Sequence, residues 1–418
     1  MARQPSARKR ILFLTPQLPY PPQQGTAIRN YHLIAQIAMR HEVHLLSFLD
    51  PPRADSDGRE GQRHLAGPLR ELCASLSTVP APARSNWQRL RTVFTSPLPD
   101  IAHRLGSPDF QEALETKLRE LSLDVIQIEG LEMAEYPLRS RRTAHGPLLV
   151  FDAHNAEYLL QKRIFETDAR LPLRWAGAMY SLIQWQKLLR YEALVCARVQ
   201  RVVACSEADA RAMMRLVPGI RPTIVPNGVD TRAYRPDVVP AATLDGQPLV
   251  FTGKMDFRPN VDAMLWFCSQ VLPIIRDKCT EAHVYIVGKN PHPRLARLAR
   301  MAGVTLTGFV EDVRPYIAAA AVYVAPLLTG GGTRLKVLEA MAMGKAIVST
   351  TLGCEGIGAI SGREIVLADG PAEFAAQVLE LLQARQRRED LGRAARAFVE
   401  RRFDWTTVAA PLEQAYER

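Results

Sequence analysis

The stretch Pro326-Leu327-Leu328-Thr329-Gly330-Gly331-Gly332-Thr333-Arg334-Leu335-Lys336-Val337-Leu338-Glu339-Ala340-Met341-Ala342-Met343-Gly344 decides the reading of this chain. An apolar β-branched run at 322–325 ends just before it, and a helical pattern at 333–343 closes it. Strand, glycine-rich turn and helix make up half of a βαβ unit. Three consecutive glycines free backbone N–H groups at a helix start, where the dipole favours an anion, and Arg334 and Lys336 add formal charge. Glu339, roughly two turns in, disfavours phosphate but can accept hydrogen bonds from ribose hydroxyls. The plainer alternative is a structural glycine turn ahead of an amphipathic helix. The spacing to Lys336 and the missing Lys-Ser/Thr pair exclude a Walker loop.

Outward from this stretch the same alternation recurs. Strand patterns fall at 11–15, 43–48, 125–128, 148–151, 202–204 and 223–225. A second series falls at 249–252, 283–287, 304–307, 322–325, 346–349 and 364–367. Helical patterns fill the gaps, for example 26–40, 109–121, 261–276 and 333–343. Such alternation predicts an α/β fold of right-handed crossovers and parallel sheets. The turn Pro226-Asn227-Gly228-Val229-Asp230 and the weakly patterned stretch 234–248 separate the series. Two Rossmann-like domains facing across a cleft are therefore expected, 1–226 and 227–403, with a final helix at about 404–418 packing back on the first.

Composition narrows the class. The 418 residues are 47% hydrophobic and 23% charged, which excludes a disordered or collagen-like chain. The net charge is +10, of which +8 falls in residues 1–227. Such an excess suits nucleic acid, an anionic membrane or an anionic substrate alike. Six cysteines without a C-x-x-C pair read as reduced thiols of a cytoplasmic protein. The basic start lacks a signal-peptide core, and no window reaches the length of a membrane-spanning helix.

Other strand ends carry polar chemistry. Gly25 opens a helix after the first strand, either as a phosphate-facing backbone or as a turn glycine with Thr26 as cap. The cluster Asp152-Ala153-His154-Asn155-Ala156-Glu157 closes a strand, where it offers a titratable imidazole and hydrogen bonds to a polyol, or simply an Asx-type helix start. Gly253-Lys254 with Arg258-Pro259-Asn260 places two cations within reach of a diphosphate, or leaves them as solvated charges at a helix start. Gly308-Phe309-Val310-Glu311-Asp312 follows a further strand and could read a base edge. Asp55-Ser56-Asp57 has the D-x-D spacing of metal-dependent sugar transferases but sits in a polar loop. No metal site is expected. No H-E-x-x-H or G-x-S-x-G occurs, which argues against zinc proteases and serine hydrolases.

Taken in order, these segments resemble the retaining family-4 glycosyltransferases of GT-B architecture. The resemblance rests on the 226–230 turn, Gly253-Lys254 with Pro259-Asn260, Gly308 to Asp312, and Glu339-Ala340-Met341-Ala342 with Gly344-Lys345. The run 11–48 and Asp152-Ala153-His154-Asn155 are further similar to the exopolysaccharide-associated bacterial branch. What the resemblance implies is a metal-independent hexosyl transfer from a nucleoside-diphosphate sugar to a hydroxyl of a lipid-linked or oligosaccharide acceptor, in bacterial surface polysaccharide synthesis. The donor is a substrate, and no cofactor is expected. On the matching positions, Glu339 would hold the ribose, while Lys254, Arg258 and the backbone of Gly331, Gly332 and Thr333 would hold the diphosphate. Gly25 would approach that diphosphate from the first domain, with His154 on the donor sugar, Asp152 and Asn155 beside it, and Phe309 and Val310 flanking the base. Two departures stand out: Gly331 replaces the first glutamate of the family's Glu-x7-Glu pair, and Lys254 replaces an arginine.

Alternatives are a GT-B nucleotide-sugar epimerase and a non-catalytic nucleotide-sugar-binding subunit, the latter motivated by Gly331. Trp87 to Phe94 and the segment 171–199 combine Trp, Leu, Tyr and Arg at near-helical spacing, fitting either core helices or peripheral contact with an anionic membrane on its cytoplasmic face. Nucleic-acid binding is not expected, because no reader motif or basic–aromatic platform occurs.

Overall fold

The computed structural model describes residues 7–22, 25–49, 67–140, 146–170, 174–329 and 334–417. The chain divides into two compact units, Met1–Pro226 with Ala409–Arg418, and Asn227–Val408.

The first unit holds a seven-stranded sheet in the order β3-β2-β1-β4-β5-β6-β7. The strands are β1 (Arg10–Thr15), β2 (Glu42–Leu49), β3 (Ser75–Pro80), β4 (Val125–Glu129), β5 (Leu148–Ala153), β6 (Arg201–Ala204) and β7 (Thr223–Ile224). Every pairing is parallel. The central strands are near-continuous apolar runs because helices cover both faces, as in Ile11-Leu12-Phe13-Leu14. The sequence reading lacks β3. Its run Ser-Leu-Ser-Thr-Val-Pro buries only Val79 and lies at the sheet edge, where polar residues and a terminal proline are tolerated.

The second unit holds a six-stranded sheet in the order β10-β9-β8-β11-β12-β13. Its strands are β8 (Gln247–Thr252), β9 (Ala282–Val287), β10 (Val304–Gly308), β11 (Val322–Ala325), β12 (Ile347–Ser349) and β13 (Val366–Leu367), again all parallel. Alternate residues feed two separate cores: Leu249, Phe251, Val284 and Ile286 on one face, Val250, Tyr285 and Val287 on the other. The single helix expected at 261–276 is instead three segments: α-helix Arg258–Trp266, a π turn Phe267–Val271, and α-helix Leu272–Lys278. Pro273 explains the break. It lacks the N–H that would bond Ser269, so the chain widens by one residue there.

The last helix, Trp405–Ala415, spans the division between units. Within the first unit Glu413 pairs with Arg40 at 2.6 Å, Lys9 Nζ donates to the Tyr416 carbonyl at 2.7 Å, and the Tyr416 ring is buried. Among the described residues no helix is long and apolar enough to cross a membrane.

At the carboxyl ends of β8 and β9 two backbones approach closely. Gly253 N–H donates to the Val287 carbonyl at 2.9 Å, and Met255 N–H to Lys289 at 2.9 Å. A Cβ at Gly288 would stand 1.7 Å from the Gly253 carbonyl oxygen. Gly288→Ala should therefore push this loop outward at about 1–3 kcal/mol, lowering the melting temperature; a calorimetric scan matching the parent would contradict the close approach.

Candidate active site

In the first unit a buried polar cluster closes the carboxyl ends of β4 and β5, facing one helix. Glu129 ends β4 and pairs in register with Asp152 on β5, and both carboxylates are fully buried. Two adjacent buried anions demand compensation. Arg29, on the helix Gly25–Ala38, supplies it: Nε donates to Asp152 Oδ2 at 3.1 Å and Nη2 to Oδ1 at 3.0 Å. Its Nη1 donates to the Pro226 carbonyl at 3.1 Å. Glu129 accepts from Gln127 Nε2 at 3.0 Å and, with the amide oriented to satisfy both neighbours, from Asn30 at 2.8 Å.

His154 completes the cluster, with Nε2 3.0 Å from Glu129 Oε2. Its ring is partly exposed, and Nδ1 has no hydrogen-bond partner among the described residues. Gly130 leaves room beside it: at φ 87°, a Cβ there would come 2.8 Å from Glu132 Oε2 and 3.7 Å from His154 Nδ1. The groups of Glu129, Asp152 and His154 lie within 4.8 Å of one another, close enough to hold a metal ion. A cation there would first have to displace the guanidinium from Asp152 and the amide donors from Glu129.

This geometry corrects the part expected of Asp152. Its carboxylate does not face a ligand; it is taken up by Arg29 and supports the cluster from behind. Asn155 likewise turns to its own neighbour, Nδ2 donating to Glu157 Oε1 at 3.2 Å. The helix Glu157–Ala169 that follows has no side-chain cap of its own. Carboxylates from distant helices cap it: Glu192 accepts from Glu157 N–H at 3.3 Å and Tyr158 N–H at 3.0 Å, and Asp209 from Ala156 N–H at 3.0 Å. Burial pushes the Glu192 carboxyl up to about 8, although these backbone donors pull it back.

Gly25 stands at the first position of its helix, exposed. Gly331, Gly332 and Thr333 lie outside the described residues, as does Asp55-Ser56-Asp57.

In the second unit, the carboxyl end of β8 and the helix Leu335–Ala342 assemble a second cluster. Lys336 Nζ donates to Asn260 Oδ1 at 2.7 Å and sits 4.2 Å from the centre of the Phe251 ring. Asn260 in turn donates to the Lys254 carbonyl at 2.8 Å, so one amide joins the two lysine-bearing segments. Glu339, one turn after Lys336, accepts a hydrogen bond from the Tyr234 hydroxyl. Arg314 fixes that tyrosine's loop, donating to the Ala233 carbonyl at 3.0 Å while paired with Asp312 at 2.8 Å. Burial, with nearby Arg334, lowers the Lys336 ammonium to about 7 against the pull of Glu339. Burial raises the Glu339 carboxyl, with Tyr234 and Lys336 opposing.

Lys254 and Arg258 remain about half exposed, 3.5 Å from Asp256 and 3.5 Å from Asp262 respectively. Such loose pairs hold the cations within reach of an anion without neutralising them by burial. Arg334 is buried at the cap position of the helix Leu335–Ala342. Phe309 and Val310 separate: Phe309 is 67% exposed, whereas Val310 packs against the core.

Arg29, Asn30, Glu129, Glu192, Tyr234 and Asn260 are absent from the sequence expectation as site groups, except that Asn260 marks the family resemblance. A signal existed for three of them: Arg29 and Asn30 are polar members of the buried stripe of Ala27, Leu33, Ile34 and Ile37, and Glu129 is the charged end of a fully buried strand.

Two parallel-sheet units of this kind, each with polar groups at its carboxyl edge, constitute the GT-B architecture of sugar transferases. Residues 24–233 match the model described as Glycosyltransferase Family 4, and residues 246–384 the model described as Glycosyl transferases group 1. The chain belongs to glycosyltransferase family 4. It is 30% identical over 258 residues to a phosphatidyl-myo-inositol mannosyltransferase of Mycolicibacterium smegmatis, covering 57% of this chain and 61% of that protein. A 44.6 kDa protein in the cps region of Klebsiella pneumoniae is 21% identical over 172 residues, 39% of this chain and 44% of that protein. The chain thus spans only about half the length of the curated relatives it matches. Among solved structures, Anabaena HepE in complex with UDP and glucose aligns at TM-score 0.64 and 15% identity over 97% of this chain and 99% of that one. Sucrose-phosphate synthase of Thermosynechococcus elongatus aligns at 0.69 and 16% identity over 98% of each chain.

The Glu129 contact sets the charge of His154. Burial would lower the imidazole, but the hydrogen bond and charge of Glu129, helped by Asp152, raise it above the ordinary 6.5 against Arg29. The pair therefore contributes its full stability below about pH 6.5 and loses it as pH rises through the raised native value. Glu129→Gln should move the His154 ring titration, followed by NMR, to lower pH. An unmoved titration would show that Glu129 does not hold this proton.

Proposed function

We propose that this protein is a retaining hexosyltransferase. It takes a nucleoside-diphosphate sugar as donor and a hydroxyl of a lipid-linked or oligosaccharide acceptor, in bacterial surface polysaccharide synthesis. The observation that carries the reading is the joined cluster of Lys336, Asn260, Lys254 and Glu339 at the carboxyl end of β8. A nucleoside diphosphate needs cations for the phosphates and an acceptor for the ribose, and this one edge offers both.

In this reading Glu339, held by Tyr234, accepts from the ribose hydroxyls. The ring of Phe309 flanks the base. Lys254, Arg258, Arg334 and Lys336 meet the diphosphate. As the glycosidic bond breaks, negative charge grows on the leaving phosphate, and side-chain cations fixed beforehand stabilise it without waiting for solvent to reorganise. A lysine lowered to about 7 gains most from that charge, because the arriving phosphate restores its proton. No side chain among the described residues is assigned as a covalent nucleophile in this reading. Attack from the same face, with the leaving phosphate taking the acceptor proton, accounts for retention. His154, held through Nε2 by Glu129, keeps Nδ1 open for a sugar hydroxyl. The name of the mannosyltransferase relative supports a nucleotide-linked mannose as the first donor to try, and the Klebsiella relative supports a surface-polysaccharide setting. Peripheral contact with the cytoplasmic face of the membrane would bring the enzyme to a lipid-linked acceptor.

Thermal-shift titration against a panel of nucleoside-diphosphate sugars should single out one donor. Glu339→Ala is expected to weaken that donor at least about tenfold, roughly 1.4 kcal/mol. Lys254→Ala should lower kcat while leaving donor binding closer to the parent. Donor bound tightly with no product from any acceptor would instead indicate a binding subunit, and parental kinetics in both variants would sink the assignment.

A further inference from the structure

The Glu339 carboxylate is oriented by a neutral donor, the hydroxyl of Tyr234. Its charged and aromatic neighbours are engaged elsewhere. Lys336, one turn earlier on the helix Leu335–Ala342, adds positive charge but gives its hydrogen bond to Asn260 at 2.7 Å. Tyr323 on β11 lies within electrostatic reach, yet its hydroxyl pairs with Thr252 Oγ1 at 2.7 Å. The charge of Glu339, then burial, pushes the Tyr234 phenol far above its ordinary 10, so it stays protonated and remains a donor.

A hydroxyl can orient a carboxylate only if its own backbone is fixed, and Tyr234 lies in the segment that leads to β8. That segment is clamped step by step. Asp230 Oδ1 accepts from the N–H groups of Arg232 at 3.0 Å and Ala233 at 2.9 Å, and the Asp230 carbonyl accepts from Tyr234 N–H at 2.9 Å. Thr231 Oγ1 donates to Asp404 Oδ2 at 2.5 Å. Arg314, paired with Asp312, donates to the Ala233 carbonyl at 3.0 Å. Arg396 Nη1 donates to the Tyr234 carbonyl at 3.1 Å and also to the carbonyl of Ala342, the last residue of the helix that carries Glu339. One guanidinium therefore fastens the tyrosine's backbone to the end of the glutamate's helix.

A carboxylate offers about four lone-pair positions. The Tyr234 hydroxyl fills one and fixes the plane of the group, which leaves the others preset for incoming donors. A site built around hydroxyls rejects an analogue that lacks them, because its acceptors then stay unpaired. The rejection is sharp only while the acceptors cannot turn away.

We propose that Tyr234 is the positioning residue for Glu339 and sets how sharply the donor site tells a ribonucleoside diphosphate from its deoxy counterparts. The proposal deepens the reading above and rests on it for the ligand.

The test is calorimetric titration of the full chain with UDP, GDP and ADP, and with the 2′-deoxy and 2′,3′-dideoxy forms of whichever binds. The parent should prefer the ribonucleotide to the dideoxy form at least about tenfold. Tyr234→Phe should weaken the ribonucleotide about tenfold and leave the dideoxy form within about twofold of the parent, so the preference collapses. A tyrosine that merely packs its segment would weaken both forms alike, and that result overturns the proposal. So does a Tyr234→Phe titration matching the parent. A double-mutant cycle gives an independent reading: in a Glu339→Ala background Tyr234→Phe should cost nothing further, and additive losses overturn the proposal. Binding of no nucleoside diphosphate at all removes the transferase reading together with this one. Binding with an unchanged ribose preference in Tyr234→Phe removes this one alone.

Discussion

The buried contact between Arg29 and Asp152 organises the carboxyl edge of the first unit. Two carboxylates on neighbouring strands, both shut away from water, would repel one another and pay heavily for lost hydration. One guanidinium, fully buried, answers them and also reaches the Pro226 carbonyl at the end of the unit. Breaking such a pair strands a charge and typically costs about 3–5 kcal/mol. Through it the first helix, β4, β5 and the exit of the chain are bound to one charge balance. Glu129 then stands behind His154, and the imidazole keeps one fixed and one open nitrogen.

The second unit uses burial in the opposite sense. Its edge keeps a lysine and a glutamate one turn apart, each moved off its ordinary ionisation by desolvation, and each tethered by a neutral partner, Asn260 or Tyr234. The tethers fix position without supplying countercharge. Under the proposed function, a ligand carrying both phosphate and vicinal hydroxyls would offer what the two side chains lack.

Much of this was legible from residue pattern alone. The alternating apolar runs and helices predict both parallel sheets, because a strand buried on both faces leaves a contiguous mark in sequence. The family motifs pointed to Lys254, Glu339 and His154, and the glycine-rich stretch to Lys336. What local pattern could not show is partnership across long separations. Glu192 meets Glu157 from thirty-five positions away, and Arg29 meets Asp152 from 123. Asp152 looked like a ligand because a carboxylate at a strand end resembles one until its partner is seen. The π turn at Phe267–Val271 and the edge strand β3 escaped for a different reason: each is governed by one proline or one sheet edge, not by periodicity.

The division of the chain has a bearing on its biogenesis. The first unit takes its last ten residues, Ala409–Arg418, from beyond the whole of the second, and Tyr416 is buried among its side chains near His41. On the ribosome, the domain that begins first is therefore completed last. Until residues 409–418 emerge, the first unit lacks the segment that covers Lys9, Arg40 and His41.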